Sequence, residues 1–79
     1  MLIRSQDKKV IVNIDNAFNI EIRDINGATA IYIGSSSSCC NMAEYSTRAK
    51  ALKVLDMIQE AYVNGHIDYQ MPEDGGVEA

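Results

Sequence analysis

The chain has 79 residues, a formal net charge of −4 and 47% hydrophobic residues, values that favour one small folded domain over a disordered chain. The acidic balance argues against direct nucleic-acid binding, which depends on clustered Lys and Arg, and no apolar run is long enough to predict a membrane span. The two cysteines are neighbours and cannot close a stabilising loop, so we expect a cytoplasmic protein that has reduced thiols and gains stability as a homo-oligomer.

Three apolar segments near the start of the chain predict β-strands: LIR, VIVN and FNIEIRD. In the third segment Phe18, Ile20 and Ile22 alternate with polar residues, which is typical of a strand with one face in contact with solvent. Asn26 and Gly27 are the strongest turn signal in the chain, because a two-residue type I′ turn needs positive φ at both positions. We therefore expect FNIEIRD and ATAIYI to form an antiparallel hairpin.

The segment GSSSSCC, residues 34–40, precedes another predicted strand, CCNMAEY. Its single Gly and missing Lys do not fit a phosphate-binding loop, which also leads directly into a helix. Cys39 and Cys40 do not fit a zinc site, because adjacent side chains of a strand point to opposite faces and His66 is the sole imidazole. We interpret the segment as a flexible hairpin loop and expect no metal, no cofactor and no catalytic residue, since a chain this small has little room for a buried cleft.

One long helix is predicted after this strand. Ser46 or Thr47 is its N-cap, and Asn64 and Gly65 are its stop signal. Its apolar residues recur at the helical period of 3.6, which is typical of a helix packed on a sheet. We expect Tyr62 to pack in the core with its hydroxyl group reaching water.

The predicted domain covers residues 1–65, and residues 66–79 are predicted to be a partly disordered acidic tail. Within this tail IDYQMPED is typical of a short segment that docks on a sheet edge, on a second copy of the chain or on a host protein, with docking on its own domain favoured. Tyr69 is the candidate contact residue of this segment.

These elements predict an α+β fold in which a small antiparallel sheet of about five strands carries one long C-terminal α-helix on one face. One helix cannot cover both faces of such a sheet, so the second face is predicted to be polar or an interface. Ile11 and Ile31 are assigned to this uncovered face. Homodimerisation through that face or through a free sheet edge is expected, as a dimer or a higher oligomer.

Three blocks of the sequence carry a family resemblance: the opening MLIRSQDKKVIVNIDN, the helical EYSTRAKALKVLDMIQEAYVNG and the late QMPED. They resemble a family of small proteins encoded by bacteriophages and integrated elements of Firmicutes, notably gut clostridia. The resemblance covers most of the chain, the helical block is its most specific part, and GSSSSCCNM departs from it. It implies a phage or mobile-element setting, no established activity and no catalytic residue.

Three functions remain open at this point. The first is a non-enzymatic interaction protein that binds a host protein and inhibits a host defence system, its acidic surface occupying a basic nucleic-acid channel. The second is an oligomer that binds a small nucleotide signal, with Arg4, Arg23 and Arg48 as phosphate contacts and Ser36 and Ser37 on the loop beside them. The third is a structural accessory that associates only with itself.

Overall fold

The computed structural model describes residues 1–17, 19–34 and 38–79, and in these ranges it shows six strands, one α-helix and two short 3-10 helices. The strands are β1 (Leu2–Arg4), β2 (Ile11–Asn13), β3 (Asn19–Ile25), β4 (Ala28–Gly34), β5 (Cys39–Tyr45) and β6 (Asp68–Gln70); the helix is α1 (Arg48–Val63), and the 3-10 helices are Ile14–Asn16 and Asp74–Gly76. The α+β class is therefore as predicted. Phe18 and the serines of the predicted loop at 35–37 lie outside the described residues.

The strands form two sheets rather than one sheet of about five strands. One sheet has the order β2-β1-β6 and the other the order β3-β4-β5. β1 pairs antiparallel with β2 and parallel with β6, and all pairings in the second sheet are antiparallel. The prediction of a single sheet was wrong. β1 and β2 do not join β3, β4 and β5, because β1 pairs instead with β6, which comes from the segment assigned to the tail.

The hairpin of β3 and β4 is confirmed, with a two-residue turn between Ile25 and Ala28. Asn26 has φ 49° and Gly27 has φ 84°, the positive values that a type I′ turn requires. β5 then pairs with β4 through a β-bulge. Met42 is the extra residue of the bulge, and it lies buried in the core.

The ends of α1 are also as predicted. The Oγ1 atom of Thr47 accepts a hydrogen bond from the backbone N–H of Lys50 at 3.2 Å, which makes Thr47 the N-cap. Asn64 is the C-cap, and Gly65 follows with φ 77° in the left-handed region that ends a helix. The buried side of the helix packs on β3, β4 and β5 and consists of Ala51, Val54, Ile58 and Ala61.

Residues 66–79 pack on the domain. The side chain of Met71 is 1% exposed and that of Val77 is 5% exposed, and both belong to the same apolar cluster as Ile3 and Ile31. The hydroxyl of Tyr45 donates a hydrogen bond to the Pro72 carbonyl at 2.8 Å. The C-terminal segment therefore completes the core beneath the first sheet.

Asp74 joins this segment to the start of α1. Its Oδ1 atom accepts hydrogen bonds from the backbone N–H of Ser46 at 2.8 Å and from the Ser46 hydroxyl at 3.1 Å. The ammonium of Lys50 lies 3.4 Å from its other carboxylate oxygen. These contacts, the Ser46 amide above all, hold the pKa of Asp74 below its usual value.

Two side chains lie elsewhere than predicted. Ile31 is fully buried in the core, because β4 turns Ile31 and Ile33 towards α1, and it does not belong to the uncovered face. Tyr62 is 58% exposed. It follows Ala61, the last buried residue of α1, and successive residues of a helix point about 100° apart around its axis. No helix in the described part of the chain is long and apolar enough to cross a membrane.

Candidate functional site

The uncovered face of the β3-β4-β5 sheet is polar, one of the two outcomes predicted for it. Arg23, on the edge strand β3, lies on this face with its guanidinium 4.6 Å from the ring centroid of Tyr32. Its Nε atom donates to the Glu21 carboxylate at 2.8 Å, and Nη1 contacts the Cys39 sulfur at 3.6 Å. These partners, chiefly Glu21, raise the pKa of Arg23 and hold its side chain flat against the sheet.

The other two candidate arginines lie in different places. The Nε atom of Arg4, in the first sheet, donates to the Lys8 carbonyl at 3.0 Å. Arg48, at the start of α1, pairs with Asp24 at 2.9 Å, and Asp24 points to the face of β3 opposite that of Arg23. The structure therefore does not bring the three arginines together. Ser36 and Ser37, the candidate serines, lie outside the described residues.

Tyr69, the candidate contact of the docking segment, is half-buried in β6 and packs against the core. It pairs in register with Ile3 of β1. Its hydroxyl is buried and has no hydrogen-bond partner among the described residues. Burial raises the pKa of this hydroxyl above its usual value.

We expect Tyr69→Phe to leave the free energy of unfolding unchanged or to raise it by up to about 1 kcal/mol, because the change removes a buried hydroxyl without a partner. Tyr45→Phe is the matched control. It removes the hydrogen bond to Pro72 and should lower the free energy of unfolding by about 0.5–1.5 kcal/mol. Urea denaturation measures both, and equal losses in the two variants would contradict the prediction.

A groove with a volume of about 550 Å³ runs between α1 and the segment that joins β2 to β3, and the sequence analysis did not find it. The side chains that line it are Ile14, Asp15, Ile20, Leu55, Ile58, Gln59 and Tyr62. The groove exists because α1 buries the inner face of β4 but leaves Ile20 of β3 only half-covered. An open apolar surface of this size is typical of a binding site.

The apolar surface continues along the flank of α1. Leu52, Leu55, Gln59 and Tyr62 follow one another at spacings of three and four residues, beside the buried side of the helix. Leu52 and Tyr62 are exposed, and Leu55 is half-buried. This apolar stripe, which lies beside the buried one, is the sequence pattern that could have predicted the groove. The prediction missed it because Tyr62 was assigned to the core.

Among the described residues, one acidic residue lines the groove. Asp15 lies in its wall, with its carboxylate exposed and 3.4 Å from the amino group of Met1. Asp56 and Glu60 lie on the exposed side of α1 and form no ion pair with any described residue. Asp15 is therefore the one charged residue among the described residues that line the groove.

Within residues 1–17, 19–34 and 38–79 no group of three or more His, Cys, Asp or Glu side chains is placed to hold a metal ion. Cys39 and Cys40 are free thiols, one exposed and one half-buried. Comparisons with protein-family models, curated proteins and solved structures find no match to this chain. The groove beside α1 is the candidate site.

Proposed function

We propose that the protein is a non-enzymatic interaction module that binds a short amphipathic helix of a partner protein in the groove beside α1. The observation that carries this proposal is the groove itself, an open apolar surface on a small folded domain. Helices bind such grooves through apolar side chains at positions i, i+3 or i+4, and i+7. Its volume of about 550 Å³ accommodates several side chains of this kind.

The negative charge of the chain indicates which kind of partner helix would bind the groove. Asp15 lies in the wall of the groove, and the whole chain carries a formal charge of −4. A partner helix with Lys or Arg beside its apolar residues is attracted to this surface, and the attraction speeds association. A basic amphipathic helix is therefore the ligand that we assign to the groove.

The resemblance to phage-encoded proteins makes a host protein the partner that we propose. Nucleic-acid-binding proteins carry basic surfaces, so a nuclease or a signalling protein of a host defence system fits this chemistry. The alternative, a nucleotide-signal binder, has less support. Arg4, Arg23 and Arg48 lie apart, and each is already hydrogen-bonded to a neighbour.

The test compares Tyr62→Lys with Val63→Lys. Tyr62 lines the groove, whereas Val63 is the next residue of α1, is 75% exposed and lies outside the lining. Both changes add one positive charge to the same helix, but only the first removes a groove contact and repels a basic ligand. With a synthetic amphipathic Leu/Lys helix as the probe, we expect Tyr62→Lys to weaken binding by at least about tenfold and Val63→Lys to change it little.

Fluorescence anisotropy measures the dissociation constant of this peptide. In a second experiment the unchanged chain, Tyr62→Lys and Val63→Lys are immobilised, and a host lysate is passed over each to find the natural partner protein. A host protein retained by the unchanged chain and by Val63→Lys, but lost with Tyr62→Lys, supports the groove as the binding site. Equal binding of the peptide to both variants would overturn the assignment.

A further inference from the structure

We infer that two copies of the chain form a dimer by pairing their β3 strands antiparallel, with Ile22 on the two-fold axis. The β3-β4-β5 sheets of the two copies then form one continuous six-stranded sheet. This inference does not depend on the proposed function, since it rests on the free edge of β3 and on the charges along it.

The two edges of the β3-β4-β5 sheet differ. At the β5 edge the side-chain amide of Gln6 donates to the Glu44 carbonyl at 3.1 Å and accepts from the Glu44 N–H at 3.2 Å. Gln6 thus makes the pair of hydrogen bonds that a neighbouring strand makes. β3 has seven residues, contains no Pro and no Lys, and pairs with β4 alone among the described residues. It is therefore the open edge of the sheet.

The hairpin geometry shows which groups of β3 are available. In a hairpin with a two-residue turn, the residues that flank the turn, here Ile25 and Ala28, exchange both backbone hydrogen bonds. Hydrogen-bonded and non-hydrogen-bonded pairs then alternate along the strand. Ile20, Ile22 and Asp24 consequently direct their N–H and C=O groups away from β4, towards a new neighbour.

The charges of Glu21 and Arg23 favour one register for the pairing of the two β3 strands. A two-fold pairing that joins at least two of these outward residues on each copy is centred on residue 21, 22 or 23. The first register places Glu21 opposite the partner's Glu21, and the third places Arg23 opposite the partner's Arg23. The register centred on Ile22 places Glu21 opposite the partner's Arg23 twice, and it also pairs the whole length of β3.

In this register opposite charges meet on the outer face, and on the inner face Ile20 lies opposite the partner's Asp24, which pairs with the partner's Arg48. Glu21 and Arg23 occupy non-hydrogen-bonded positions, where opposite side chains lie closest. On the inner face, the half-buried Ile22 of each copy meets its own symmetry mate. The two-fold axis is perpendicular to the sheet, so both α1 helices lie on the same side, and the two grooves, each with Ile20 in its wall, flank the axis.

The first test uses complementary charge variants. Glu21→Arg places Arg opposite Arg in the dimer, and Arg23→Glu places Glu opposite Glu, so each variant alone should dimerise at least about tenfold more weakly than the unchanged chain. An equimolar mixture restores the opposite charges in a heterodimer and should dimerise again. Glu60→Arg and Lys9→Glu make the same changes of net charge at exposed sites away from β3, and they should leave the dimer intact.

Sedimentation velocity and native mass spectrometry measure these states, and thermal unfolding checks that each variant is folded. Hydrogen exchange of the unchanged chain gives a test without substitutions. The backbone N–H groups of Ile20, Ile22 and Asp24 should become protected as the concentration rises, whereas those of Glu21 and Arg23, which bond to β4, should be protected throughout. A monomer at millimolar concentration, or an Arg23→Glu variant that dimerises as tightly as the unchanged chain, would overturn the inference.

Discussion

Met71→Ala is expected to lower the free energy of unfolding by about 2–5 kcal/mol, because it leaves a cavity in the core. The Met71 side chain is 1% exposed and packs in the cluster that contains Ile3 and Ile31. A single small core typically supplies only about 3–5 kcal/mol, so much of the variant should be unfolded at 37 °C. Residues 66–79 would then be required for the stability of the domain.

Ile67→Ala is the control for this prediction. Ile67 belongs to the same segment but is 82% exposed, so its truncation should change the free energy of unfolding by less than about 0.5 kcal/mol. Urea denaturation followed by circular dichroism measures both variants at 25 °C. Similar small losses for Met71→Ala and Ile67→Ala would show that the C-terminal segment does not pack on the domain in solution.

Gln6→Ala is expected to lower the free energy of unfolding by about 2–3 kcal/mol, because it removes three side-chain hydrogen bonds of about 0.5–1.5 kcal/mol each. Besides its two bonds with Glu44, the Gln6 amide donates to the Pro72 carbonyl at 3.1 Å. The substitution therefore releases the β5 edge and the C-terminal segment at once.

Gln6→Glu tests the hydrogen bonds of the Gln6 amide without changing the size of the side chain. The new carboxylate has nearly the same shape but faces the carbonyls of Glu44 and Pro72 without a proton to donate, so at pH 7 it should destabilise the protein at least as much as Gln6→Ala. Gln59→Ala, on the exposed flank of α1, should have little effect on unfolding. The same urea titrations measure all three variants, and a stable Gln6→Glu protein would contradict the role given to the amide.

The local elements could be predicted because their causes lie within a few residues. The hairpin turn needs only Asn26 and Gly27 with positive φ. The two ends of α1 are set by the Thr47 cap and the Gly65 stop. β6 has no such local signature. It has three residues, and its partner β1 lies at the other end of the sequence, so no alternation or turn signal marks the pairing.

The candidate site was harder to predict for a different reason. Alternation along a strand separates two faces but does not say which one the helix covers, and so Ile31 was assigned to the wrong face. Residue type suggested phosphate chemistry for Arg23 and Arg48 but could not show that they lie on opposite sides of β3. The groove depends on where α1 lies across the sheet, which is a property of the assembled core.

The parallel pairing of β1 with β6 also sets an order of folding. The β3-β4 hairpin joins neighbours in sequence and can form early, and β1 can pair with β2, whereas the parallel partner of β1 begins only at Asp68. Bringing such distant segments together costs loop-closure entropy before any contact compensates for it. On the ribosome, Ile3 therefore lacks Tyr69, Met71 and Val77 until residues 68–77 have emerged, and the apolar core that these residues complete is exposed to aggregation throughout that interval.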